Sequence, residues 1–227
     1  MKQKICLIGG SGLMSSDIFK NFKPVKIKNK YGRVVIFRRG DIFFINRHQG
    51  NLPPHRINFK AYFKAIVDLD INKIISFNSV GSLKKGIKVP SFLIPHDFIC
   101  LSGNQTFFDD EIIHTTPIFS KELRRLLIKT CSQINLPIYK KGVYLQTAGP
   151  RFETAAEIKM FSKFADVVGM TLASEVILAG EIGVPIAAIS SIDNYSNGVS
   201  GHSDYKKGAE NNLKIVEIIV KNILCRL

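Results

Sequence analysis

Short apolar runs alternate along this chain with longer stretches in which apolar residues return every third or fourth position. Ile5 to Ile8 is the first run and predicts a short buried strand. Val34–Arg38 and Ile42–Asn46 flank Arg39-Gly40-Asp41, a pattern that predicts a hairpin. Ile57, Ala61, Ala65 and Leu69 form a stripe with a helical period. Lys73–Phe77 is rich in β-formers and ends before the small-residue turn Asn78–Ser82, and Leu93–Leu101 predicts another strand. Ser120 caps a helix reaching about Ser132, with Leu123, Leu126 and Leu127 on one face. Gly142–Thr147 is strand-like, Thr154 opens a helix over Ala155–Phe164, and Ser174–Ile182 is a further helix stopped by Gly183. Val184–Ile192 reads as a central strand, and an amphipathic helix over Tyr205–Leu224 closes the chain.

This order predicts an α/β fold: a single domain over residues 1–227 with a mixed central β-sheet flanked by helices. The sequence contains no internal repeat, low-complexity tract or linker. In such folds ligands sit at the C-terminal ends of strands. The polar clusters Gly9–Ser11, Asn78–Ser82, Gly149–Glu153 and Asp193–Ser196 each follow a strand, so they are expected to converge on one site.

Composition narrows the picture. At 227 residues, 45% hydrophobic and 22% charged, the chain is long enough for one sizeable core. No apolar run approaches the roughly 18 residues a membrane span needs, and Met1–Gly10 lacks the features of a signal peptide, so a cytoplasmic protein without a membrane partner is expected. The net charge of +14 comes from Lys residues spread along the chain, mostly beside Ile or Asn, which predicts a solvated basic surface that attracts anions rather than a nucleic-acid site. Cys6, Cys100, Cys131 and Cys225 are scattered without C-x-x-C spacing, so neither a disulfide framework nor a metal site is expected.

Several strand-end residues carry usable chemistry. Gly9-Gly10-Ser11-Gly12 allows backbone N–H groups to approach an anion, with the Ser11 hydroxyl adding a hydrogen bond. It matches neither a P-loop nor a dinucleotide fingerprint, and a plain tight turn is the alternative. Arg47-His48 offers donors to phosphate oxygens, or else a surface pair. In Gly149-Pro150-Arg151-Phe152-Glu153-Thr154, Phe152 is able to stack on a flat heterocycle and Glu153 to accept from ring N–H groups, or else to favour a helix dipole. Met170 is either an apolar wall or a core residue, Thr171 is a hydroxyl donor, and Asn194 has the donor and acceptor that suit a purine edge.

Taken together, these residues resemble the trimeric nucleoside phosphorylase family, which contains purine nucleoside and methylthioadenosine phosphorylases. The resemblance runs from Ile8-Gly9-Gly10-Ser11-Gly12-Leu13 through Arg47-His48, Pro53-Pro54-His55-Arg56-Ile57-Asn58, Gly81-Ser82-Leu83, Gly149–Thr154 and Gly169-Met170-Thr171 with Glu175 to the last helix. It implies that Ser11, Arg47, His48, Ser79 and Thr171 bind phosphate, with Ser79 touching the ribose as well, that Met170 lies under the ribose, and that Phe152 packs on the base. Glu153 and Asn194, in place of the Ser or Thr and the Asp of methylthioadenosine enzymes, imply a 6-oxopurine. Ser196 stands at the second Asp position, and Tyr62 where the helix often has Asn. The resemblance also puts His202 in the variable loop near the 5′ pocket, where it would bind the 5′-hydroxyl of the substrate.

The implied reaction is phosphorolysis of inosine, guanosine or 5′-methylthioinosine to free base and a pentose 1-phosphate. Asn194, Glu153 and His48 would act at the reacting groups. No metal or organic cofactor is implied; inorganic phosphate is a co-substrate. A homotrimer, or a hexamer built from it, is implied as the assembly. Two other readings stand beside it: a 5′-methylthioadenosine phosphorylase, and a catalytically inactive basic protein that binds nucleosides or nucleic acid.

Overall fold

In the computed structural model, which describes residues 3–101, 103, 105–200 and 205–225, the first apolar run forms β1 (Ile5–Gly9), every residue of which is buried. It lies between two parallel partners, β4 (Ile42–Asn46) and β5 (Lys73–Ser82). A parallel strand covered on both faces has no polar side to show, hence the unbroken apolar run. Beyond β4 come β3 (Gly32–Arg39) and β2 (Lys23–Asn29), both antiparallel. Beyond β5 the order continues through β9 (Val167–Gly169), β8 (Val143–Gln146) and β7 (Asp97–Cys100). β10 (Ile186–Tyr195) runs parallel to β5 and antiparallel to β6 (Ser91–Leu93). The sheet is therefore mixed, as the alternation of runs predicts.

Alternate residues of the central strands feed two cores, as the two-residue side-chain period requires. Cys6, Ile8, Ile74 and Ala188 join the residues of α2 (Phe59–Asp68) and α5 (Leu172–Glu181). Ile5, Leu7, Ile75, Ala187 and Ile189 join α3 (Lys121–Gln133) and α6 (Tyr205–Leu224). The two remaining α-helices among the described residues, α1 (Ser11–Met14) and α4 (Ala155–Phe161), are short. Ser120 and Thr154 cap α3 and α4 as predicted, and Thr154 forms a full capping box with Glu157. No described helix is long and apolar enough to cross a membrane.

Three expectations are corrected. β5 does not stop before Asn78; it continues to Ser82 because β10 pairs with it to the end, Tyr195 opposite Ser82. The strand predicted over Leu93–Leu101 is two strands, separated at Ile94-Pro95-His96, where Pro95 has no N–H for a ladder. β2 was not predicted. Its exposed Lys23, Lys26 and Lys28 around half-buried Val25 and Ile27 fit an outer strand that resists edge-to-edge pairing.

Candidate active site

The C-terminal ends of β1, β5 and β10 open into one cavity of about 1050 Å³. All four predicted polar clusters contribute to its wall. The β5–β10 ladder shifts register between Ile192 and Asn194, leaving Asp193 as the extra residue of a bulge. Such a bulge re-aims neighbouring side chains, and here Asp193 and Asn194 both reach the cavity wall.

Arg47 follows β4 and forms part of the cavity floor, its side chain 3% exposed. Its Nε donates to Glu175 Oε1 at 2.7 Å, its Nη1 to the Phe77 carbonyl at 2.9 Å and its Nη2 to Ser76 Oγ at 2.9 Å. Ser76 Oγ in turn donates to Glu175 Oε2 at 2.6 Å, which closes a ring of hydrogen bonds around a fully buried carboxylate. Tyr62 Oη reaches the same carboxylate at 3.5 Å. Burial opposes the Arg47 charge, but Glu175 more than offsets this and holds its pKa above the ordinary value. The fork is thus not open in the way the residue pair suggests: of five guanidinium N–H donors, three serve the protein.

His48 Nδ1 sits 2.8 Å from the Leu52 carbonyl. A carbonyl only accepts, so Nδ1 carries the proton and Nε2 remains as the ring's other polar atom. Burial lowers the His48 pKa, with the Arg47 charge adding to the effect, so the ring favours its neutral form. His48 therefore differs from the cation that a basic Arg-His pair implies. Opposite, Ser79 Oγ donates to Asp193 Oδ2. Asp193 also accepts from Ser191 Oγ at 2.7 Å and from Asn212 Nδ2 of α6 at 2.6 Å. The same helix packs so closely here that a Cβ on Gly208 would lie 1.9 Å from the Asp193 carbonyl oxygen.

At the other side of the cavity, Glu153 is buried and accepts from Thr147 Oγ1 at 2.5 Å. The helix cap beside it is supplied by Thr154 and Glu157, so Glu153 is not spent on the dipole of α4. Phe152, 55% exposed, lines the same region. Met170 lies against Gly149, whose φ of +66° and lack of a Cβ allow the close approach. Asn194 Nδ2 donates to the Tyr195 carbonyl at 3.0 Å. Thr171 is the N-cap of α5 but makes no side-chain cap bond; its N–H and that of Leu172 donate instead to Tyr144 Oη. Thr171 thus faces the cavity without a capping duty.

A family model described as "Phosphorylase superfamily" matches residues 4–225. A probable 6-oxopurine nucleoside phosphorylase of Archaeoglobus fulgidus is 38% identical, covering 96% of each chain. The chain belongs to the phosphorylase superfamily. An S-methyl-5′-thioadenosine phosphorylase of Pyrococcus furiosus is also 38% identical, over 85% of this chain and 79% of that one. The methylthioadenosine phosphorylase of Schistosoma mansoni in complex with adenine superposes with a TM-score of 0.90 at 22% identity, covering 99% of this chain and 91% of that one. The fold class read from the sequence is therefore that of a nucleoside phosphorylase, and the chain falls among pentosyltransferase enzymes of this family.

Within this phosphorylase, Arg47, His48, Ser79, Phe152, Glu153, Met170, Thr171 and Asn194 all line one cavity. Ser11 does not: it is exposed at the start of α1, between cavity-lining Gly10 and Gly12. His202 lies outside the described residues. No linear pattern gives Glu175, Asp193 or Asn78 a role of its own. Glu175 appears only as a landmark, because nothing in a linear pattern pairs it with Arg47. Asn78 Oδ1 accepts from Ser190 Oγ at 2.6 Å while its buried Nδ2 has no partner among the described residues, although it borders the cavity. A buried amide donor of this kind is normally satisfied.

Proposed function

We propose that this enzyme cleaves 6-oxopurine nucleosides by phosphorolysis. The observation that carries the reading is the buried Glu153 carboxylate on the same cavity as Asn194. A carboxylate only accepts hydrogen bonds. It suits the N1–H of a 6-oxopurine; the bare N1 of adenine would meet it lone pair to lone pair. Asn194 donates to N7 or O6 as negative charge develops there, and Phe152 packs on the ring. The name of the Archaeoglobus relative supports the same base.

Phosphate binds at the opposite floor, against the Arg47 guanidinium, the Thr171 hydroxyl and the Gly10–Gly12 backbone, with Ser11 at its edge. His48 Nε2 accepts from a protonated phosphate oxygen, which suits its neutral ring. One phosphate oxygen forms the bond to C1′ while the C1′–N9 pair leaves with the purine; Met170 supports the sugar between them. The two reactants are held in line by a rigid sheet edge, which is the main saving in activation entropy. No organic cofactor or metal takes part, and phosphate is the co-substrate.

Leu13 of α1 and Leu213 and Val216 of α6 give the cavity an apolar stretch of wall. That lining supports a 5′-methylthio group on the sugar, in keeping with the name of the Pyrococcus relative. A homotrimer, with a neighbour covering exposed Phe152, Phe164 and Ile118, completes the reading. Base release from inosine, 5′-methylthioinosine and 5′-methylthioadenosine, with and without phosphate, tests it. Phosphate-dependent release of hypoxanthine is expected. Release of adenine alone would overturn the base assignment, and release without phosphate would overturn phosphorolysis.

A further inference from the structure

Asp193 stands at the centre of a polar cluster that the proposed reaction does not use. It is 2% exposed, yet it belongs to the cavity wall. Three donors converge on its carboxylate: the hydroxyls of Ser79 and Ser191 and the amide of Asn212. They come from β5, from β10 and from α6, so the side chain ties three elements together at the bulge. An ionised carboxylate has no proton to give, so both hydroxyls must donate to it.

The consequence falls on Ser79. A serine hydroxyl has one proton and two lone pairs. With the proton committed to Asp193, Ser79 Oγ turns only lone pairs to the cavity that it lines. Phosphate oxygens are chiefly acceptors and would be repelled by such an atom. A sugar hydroxyl is a donor and would be bound. We infer that Asp193 is a positioning residue that sets Ser79 as an acceptor for a pentose hydroxyl, so that the pair selects ribosyl over deoxyribosyl substrates. This rests on the nucleoside reading of the cavity; of the two contacts the resemblance implies for Ser79, it keeps the one to the sugar and removes the side chain from phosphate.

The test compares kcat/KM for inosine, 2′-deoxyinosine and 3′-deoxyinosine, with KM for phosphate, in the wild type, Asp193→Asn and Ser79→Ala. The wild type favours inosine over at least one deoxy analogue. In Asp193→Asn an amide nitrogen facing Ser79 donates to it, and the hydroxyl proton turns outward. Loss of about one hydrogen bond lowers the inosine preference about tenfold in each variant, with the phosphate KM unchanged. Ser79→Ala removes an exposed hydroxyl but leaves Ser191 and Asn212 donating to Asp193, and keeps the test valid if Asp193→Asn does not fold. A raised phosphate KM with an unchanged ribosyl preference overturns the inference, as does a uniform loss on all three substrates. If the wild type releases no base from any nucleoside, the proposed function fails instead. Calorimetry of inosine against its deoxy analogues on wild type and Ser79→Ala then decides the hydroxyl contact separately: equal loss of affinity for all three overturns it.

Discussion

Arg47 Nε donates to Glu175 Oε1 at 2.7 Å across 128 residues of sequence, with both side chains buried beneath the cavity. The pair fixes the plane of the guanidinium, and Ser76 and the Phe77 carbonyl fix its rotation. Arg47 therefore presents the cavity with a preset guanidinium rather than a flexible side chain.

Glu175→Ala is expected to leave the buried Arg47 charge unpaired and to cost about 3–5 kcal/mol of stability. Urea denaturation of variant and wild type measures this. Glu175→Gln keeps one acceptor and should fold, but with a raised KM for phosphate. A Glu175→Ala midpoint equal to that of the wild type would show that the ion pair contributes nothing.

His48 should titrate below the ordinary histidine range, because burial and Arg47 both disfavour its cation. A histidine whose folded pKa is depressed binds its proton more weakly than the unfolded chain does. Its contribution to stability is therefore full above about pH 6.5 and is lost as pH falls through that value towards the folded pKa. Side-chain NMR titration, assigned with His48→Gln, checks the midpoint. Saturating phosphate should move it upward, since a bound anion favours the imidazolium; a midpoint that ignores phosphate would place His48 off the anion.

Asn194→Ala should lower kcat on 6-oxopurine substrates by about 10²–10³, the usual effect of deleting one donor to developing charge. Glu153→Gln should weaken 6-oxopurine binding and narrow the gap to adenine nucleosides, since an amide can donate to N1 of adenine. Steady-state kinetics on paired substrates read both effects. An unchanged base preference in Glu153→Gln would remove Glu153 from base recognition.

The α4 cap offers a pH-dependent test away from the cavity. Hydrogen bonds from Arg151 and the Thr154 N–H pull the Glu157 pKa down from 4.5 to about 2. A depressed carboxylate stabilises the fold above its unfolded pKa, and that gain disappears as pH falls from 4.5 towards 2. Glu157→Gln should therefore lower the melting temperature at pH 7 and match the wild type near pH 2. Thr154→Ala, which removes the capping hydroxyl, should cost about 1 kcal/mol.

Much of this protein was legible in its sequence because much of it depends on local rules. The doubly covered strands announced themselves as the unbroken apolar run Ile5–Ile8 and the largely apolar run Val184–Ile192. Ser120 and Thr154 marked helix starts because a cap is satisfied within three residues. The strand-end clusters of glycine, serine and asparagine pointed to one cavity; the parallel strands β1, β4, β5 and β10 deliver their C-terminal ends to the same side, while the Gly149–Glu153 cluster arrives from β8, which runs the other way. Errors arose where partners override local preference. Asn78–Ser82 reads as a turn in isolation, and only β10 alongside draws it into a strand. The lysine-rich β2 is recognisable as a strand only once β3 pairs with it.

Which residue types line the site was thus set by the linear order, while the direction of their hydrogen bonds was not. Arg47, His48 and Ser79 each looked like a donor waiting for an anion. The fold commits three N–H groups of Arg47 inward, protonates His48 on the nitrogen facing Leu52, and turns the Ser79 proton to Asp193. For Arg47 and Ser79 those choices depend on Glu175 and Asp193, which lie more than a hundred residues away, whereas His48 takes its direction from Leu52, four residues on. A hydrogen bond has a direction, and in this cavity its direction was decided only when the chain brought the two ends together.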